Sequence, residues 1–330
     1  MPILTTDFVW RGSALTSDDT PAQNGGRMTS TVKASGVKNN LFPNASQAER
    51  TAGSVKLRKV FIHIASTLNI ELLDARVFIS QLTPADDFVT IHPGTATDTQ
   101  DTFTGRAYGV GTLLLGVSAD DTAIQVVGEN MTAYATLEPF QVGDMIRLAK
   151  VVDGSEVVEW GVIDTVTYEV GSIDIGLEAA LVNDFPQEGT LVSSCIQEAS
   201  VVAAIDSLTV TSTAGTLNSE GVIANNKGAI DDSITLEFTS ASAFTATGVI
   251  AGSLGTGSRF ATFSPINTGT GSPYITIPST AWGGVFEVGD TVTFDVTPAA
   301  IPVWYRREIP AGASSLNNDS VAVSIFGESA

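Results

Sequence analysis

Along most of this chain, short apolar runs alternate residue by residue and are cut at short intervals by Gly, Asn, Asp or Pro. SVKLRKVFIHI, LLDARVFISQ, DMIRLAKV, SITLEF and TVTFDV read this way, as does SVAVSIF, where Val321, Val323 and Ile325 share one face. A period of two is the signature of a half-buried strand, whereas an amphipathic helix repeats near 3.6 residues over a longer stretch. The composition agrees: 31 Gly, 16% charged residues and abundant Thr, Val and Ser suit strands joined by many turns. An all-β protein is expected, and 330 residues are enough for two or three domains with sizeable cores.

Changes in pattern divide the chain. Residues 1–54 hold few apolar side chains and are punctuated by Gly25, Gly26, Gly36, Pro43 and Gly53. They read as an extended basic N-terminal arm, with one helical turn at Ala45–Thr51, ordered by lying on something else. Residues 55–103 begin the first confident strands, and VFIHI, apolar on both faces, is expected at the centre of a sheet. The polar run TATDTQDTFT ends that block. Residues 105–198 read as a small β-barrel or sandwich of regularly spaced strands, with Asp153–Gly154 as a tight-hairpin signal. ASVVAAIDSLT (Ala199–Thr209) is the most helix-like stretch, although Val201, Val202 and Ile205 also fit a strand. Residues 199–298 form a second β module, and 300–330 supply two last strands, VWYRREI and SVAVSIF, around the turn-rich PAGASSLNND. FQVGD (Phe140–Asp144) and FEVGD (Phe286–Asp290) each precede a strand and share one expected turn: an apolar plug, a glycine and a capping aspartate.

The end of the chain carries W-x-R-R-x-I-P-A-G-A-x-S, through Trp304, Arg306, Arg307, Pro310, Ala311, Gly312 and Ala313, followed by Asn318-Asp319-Ser320. Near the start stand the paired-glycine segment Gly25 to Met28 and A-G-x-x-x-x-R-x-V-F-I from Ala52 to Ile62. Together these resemble a family of virion structural proteins of tailed bacteriophages, known as neck, collar or tail components. The match covers only the two ends of the chain, and its motifs carry no catalytic residue. The resemblance implies a non-enzymatic component present in many copies. Its partners would be other copies and other virion proteins, and its place the virion, after synthesis in the host bacterial cytoplasm. It also groups 55–103 with 300–330 as one discontinuous β-sandwich into which the other modules are inserted.

Charge distribution sharpens the expected partners. Net charge is −20, yet residues 1–63 hold eight of the 16 Lys/Arg and only four of the 36 Asp/Glu. The acidic body repels phosphates, so no direct nucleic-acid contact is expected. The basic arm suits an acidic protein surface, on a neighbouring copy or another virion protein; the alternative is a solvated edge of mixed charge. Lys33 and Lys38 are the arm's candidate charges, and Val37, Leu41 and Phe42 its candidate apolar anchors, because exposed ion pairs alone contribute little.

Residues that could carry chemistry are few. His63 lies inside a core strand and reads as a hydrogen-bonded structural residue. His92 has no ligand partner at metal spacing. Cys195, the single cysteine, reads as a small buried hydrophobe. Asp86–Asp87, Asp120–Asp121 and Asp231–Asp232 cannot face each other across a substrate, since neighbours on a strand point oppositely; turn capping is their expected use. The glycine loops at Gly252–Ser258 and Thr268–Ser272 lack the phosphate-binding pattern. No catalytic, cofactor-binding or metal-ligating residue is expected, and no apolar run is long enough to span a bilayer as a helix. The start lacks the basic end and apolar core of a signal peptide. An alternative class is a receptor- or glycan-binding appendage, an adhesin module or a capsid decoration protein. Grouped exposed aromatics would favour it, and Tyr108, Tyr134, Tyr274 and Trp282 are the candidates.

Overall fold

The computed structural model describes residues 2–330, and the all-β expectation holds, with 49% of the chain in strands and 8% in helices. β1 (Phe8–Leu15) and β2 (Gly25–Val32) form a bulged antiparallel pair. A reciprocal capping box then starts α1 (Gln47–Ala52): Ser46 Oγ accepts from the Glu49 amide, and Glu49 accepts from the Ser46 amide. Gly53, at φ 80°, ends the helix and turns the chain into β3 (Ser54–Ile64), followed by β4 (Leu72–Gln81) and β5 (Phe88–Pro93).

The next stretch is a closed barrel. β6 (Val110–Leu113), β7 (Ala123–Gly128), helix α2 (Met131–Leu137), β8 (Met145–Val152), β9 (Ser155–Tyr168), β10 (Ile173–Leu177) and β11 (Leu191–Ser194) follow in sequence, and the strands close in the order β10-β7-β6-β11-β8-β9. Alternate residues such as Ile124, Val126, Ile146, Leu148 and Ile173 fill its interior with Phe140 and Phe185. Asp153 (φ 51°) and Gly154 (φ 80°) make the β8–β9 turn, the pair of positive φ values that a two-residue hairpin of matching twist requires.

β12 (Ile196–Val201) leaves the barrel, and the third module follows. Its strands are β13 (Ala204–Thr211), the short β14 (Thr216–Leu217) and β15 (Ile223–Ala224), then β16 (Asp232–Phe238), β17 (Ala243–Gly248) and β18 (Gly252–Ser258). The short β19 (Ile266–Asn267), β20 (Ser272–Pro273), β21 (Ile275–Thr276) and β22 (Trp282–Gly283) come next, and β23 (Thr291–Thr297) closes the module. A five-stranded sheet, β13-β23-β16-β17-β18, packs Ile234, Leu236, Phe238, Phe244 and Phe294 against Phe263, Ile275, Ile277 and Phe286.

β24 (Ala300–Ile309) and β25 (Ala322–Ser329) return to the first strands. Sheet β2-β1-β3-β24-β5 faces sheet β12-β4-β25, and Val60, Ile62, Val77, Ile79, Ile301 and Val303 fill the space between them. β24 pairs with β3 from Ala300↔His63 to Ile309↔Ser54 and with β5 on its other side. The barrel enters and leaves through paired residues, Val110↔Ser193, and so does the third module, Ala204↔Thr297.

Three details differ from the sequence reading. Residues 1–54 are not a separate arm: β1 pairs with β3 from Phe8↔Ile64 to Gly12↔Val60, and Phe8 and Trp10 pack on the sandwich core. The apolar run FVW is too short to be read as a strand until β3 offers it an edge. Ala199–Thr209 is not helical but the end of β12 and the start of β13; pairing with β4 and β23 overrides local preference. The barrel ends at Ser194 rather than 198, because Ile196–Val201 crosses to β4 and becomes an edge of the sandwich.

Candidate functional site

The two blocks of sequence at the ends of the chain meet in one place. Trp304 on β24 is wholly buried, and its indole Nε1 donates to Asp98 Oδ2 at 2.8 Å. The same carboxylate pairs with Lys59 of β3, whose ammonium is buried and donates to the Gly26 carbonyl at 2.8 Å. Burial pushes the Lys59 ammonium below its ordinary pKa, and Asp98 opposes that shift. Gly25 sits against this node at φ 113°, and a Cβ there would come within 2.7 Å of Trp304 and of the Asp98 carbonyl. The paired glycines, the tryptophan and the β3 lysine are therefore parts of one packed junction.

A second junction borders a cavity of about 850 Å³. Its floor includes Trp10, Val60, Val89 and Tyr305, and its walls are the 33–45 segment and the 313–323 connection into β25. Arg307 of β24 ties these walls together. Its Nε donates to Asp87, Nη2 to Asp319 at 3.3 Å and Nη1 to the Pro43 carbonyl at 3.2 Å. Glu129, beside the barrel helix, accepts from the amide and hydroxyl of Thr83, both at 3.0 Å. Burial pushes the Glu129 carboxyl up to about 7. Burial first, and then the neighbouring Asp87, pushes Asp319 up to about 6.

Of the arm candidates, Leu41 and Phe42 pack on this chain's own core, and Phe42 lies under the Arg58 guanidinium, 5.8 Å from ring centroid to carbon. Lys33 Nζ donates to the Asn40 carbonyl at 3.0 Å, while Val37 and Lys38 are exposed. The five residues thus form a folded flap over the cavity, with two anchors already used within the molecule. Most of the basic residues near them have partners too: Lys56 pairs with Asp18 and Glu49, Arg58 with Asp18, and Arg27 with Asp231.

His63 is wholly buried between Arg11 and the Asn226 carbonyl, and His92 hydrogen-bonds Thr90 and the Gly105 carbonyl. Burial pushes the buried Cys195 thiol up to about 12. Asp121 and Asp232 cap turns by accepting amide hydrogens, Asp86 accepts from the Ser314 amide, and Asp87 and Asp231 pair with arginines. Among the described residues, no group of three or more His, Cys, Asp or Glu side chains is arranged to hold a metal ion. Of the four aromatics, Tyr134 is wholly buried, Trp282 packs among Phe238, Phe244 and Phe286, Tyr274 packs on the same core, and Tyr108 lies under Arg106. Sequence reasoning missed both junctions. Asp87 and Arg307 are 220 residues apart, and neither position has a periodic pattern that points to the other.

Comparison with models of protein families, with curated proteins and with solved structures finds no match to this chain.

Proposed function

We propose that this chain is a non-enzymatic structural component of a tailed-phage virion, assembling in multiple copies at the neck, collar or tail. One observation carries the reading. Residues from both blocks that resemble the phage family, far apart in sequence, take part in the two junctions of the sandwich: Gly25, Gly26 and Trp304 meet at one, beside Lys59 and Asp98, and Arg307 and Asp319 meet at the other, beside Asp87. Residues used in this way support a scaffold: Trp304 and Gly25 by close packing, Arg307 and Asp319 by ion pairing. The scaffold carries two β modules whose outer surfaces are free to meet other copies or other virion proteins.

The test is to purify infectious particles of the phage that encodes the chain and to locate it by mass spectrometry and particle-averaged imaging. Repeated density fitting this sandwich and its two modules at the neck, collar or tail is the expected outcome. Absence of its peptides from purified particles overturns the reading.

A further inference from the structure

The second junction holds more negative than positive charge. Asp87, from the turn before β5, and Asp319, from the connection into β25, both accept from the single guanidinium of Arg307, and the carboxyl of Glu129, from the barrel, held on Thr83, adds a third acidic group facing those two. Asp86 lies beside them and is occupied by the Ser314 amide. Arg50 of α1 lines the same cavity, but its Nη1 donates to the Ala45 carbonyl. Lys33 is turned to Asn40, and Tyr134, on the barrel side of Glu129, has its hydroxyl spent on Val110. Among the described residues, no second cation is therefore paired with these carboxylates. Asp319 Oδ1 and Glu129 Oε2 are both buried without a hydrogen-bond partner, an arrangement costly for an ionised group and relieved by a proton.

We propose that Asp87 and Asp319, joined by Arg307, form with the neighbouring Glu129 a proton-operated latch that fastens the 310–321 segment beside the cavity in acid and loosens it as the pH rises. With Asp319 protonated, its repulsion of Asp87 becomes a shared hydrogen bond, and Arg307 remains to pair with Asp87. Once Asp319 and Glu129 ionise, Asp87 and Asp319 share one guanidinium beside a third negative charge. The segment then rests on its two backbone anchors, Gly312 N to the Arg50 carbonyl at 2.7 Å and Ser314 N to Asp86 at 2.7 Å. The raised pKa values of Glu129 and Asp319 place the change between mildly acidic and neutral pH. Loosening would open the wall of the cavity that residues 313–321 line.

Hydrogen exchange on the full chain, corrected for the intrinsic pH dependence of amide exchange, reads the latch directly. Protection of the Gly312 and Ser314 amides is expected to fall roughly tenfold or more between about pH 5 and pH 8, following a titration of about one proton. Amides of β8 in the barrel should keep their protection over the same range. Asp319→Asn should flatten the pH dependence at Gly312 and Ser314, and Glu129→Gln, which leaves the 310–321 segment unaltered, should reduce it. Unchanged protection in the native chain overturns the proposal, and so does an equal fall in β8.

Discussion

A guanidinium has no lone pair to offer, so the 2.7 Å contact between Arg11 Nε and His63 Nδ1 leaves that ring nitrogen without a proton. The proton sits on Nε2, which donates to the Asn226 carbonyl at 2.6 Å. A second proton would set two donors against each other beside a positive charge, and burial pushes the His63 pKa down to about 4. Burial does the same to His92, again to about 4. Because these values lie below the unfolded one, the stability they contribute is present above about pH 6.5 and is lost as the pH falls toward about 4. In a proton NMR titration, neither ring is expected to titrate between about pH 5.5 and pH 8. An inflection near pH 6.5 from either would show that its pocket is open to water. Asn226 also binds the Ile70 carbonyl and the Ala203 amide, so the histidine fastens the third module to the sandwich.

Among the elements, β24 has no substitute. It lies between β3 and β5 and bonds to both along its length. Removing residues 300–330 takes away β24 and β25, so it should leave β3, β5 and β4 with unpaired edges and yield insoluble protein, because unpaired edges recruit other chains. A soluble truncation with a cooperative urea transition would show that β3 and β5 can pair without it. Much of this level was legible from the chain. Alternation fixed the strands of the barrel, and the FQVGD and FEVGD turns have the expected form: Phe140 and Phe286 buried, Gly143 and Gly289 at positive φ, Asp144 and Asp290 accepting from the amides of Gln141 and Glu287. Local chemistry decides such turns. β1 and β12 were not legible, because each is defined by the edge it joins rather than by a pattern of its own, and Arg307 could not be matched to Asp87 for the same reason.

At the scale of the whole molecule, each inserted module begins and ends on neighbouring residues, Val110↔Ser193 and Ala204↔Thr297. Cutting out residues 110–194 and joining the ends with a short Gly-Ser linker should leave a chain that folds cooperatively, at reduced stability because Phe88 loses Tyr134 as an edge-to-face neighbour. Circular dichroism and thermal melting would check this, and a remainder without a cooperative transition would mean that the barrel is a structural part of the sandwich. The position of β24 has a further meaning in time. A ribosome that has finished β3 must add more than two hundred residues before β24 exists, on the order of 10–50 s at ordinary synthesis rates. Barrel and third module, each contiguous, can close during that wait, while the edge of β3 that will receive β24 stays open. Lys56, Arg58 and Lys59 lie along that strand, and charges on an open edge discourage the wrong strand from joining it. On the nascent chain, these three basic residues of β3 would guard an unfinished sheet before they take up their places in the finished one.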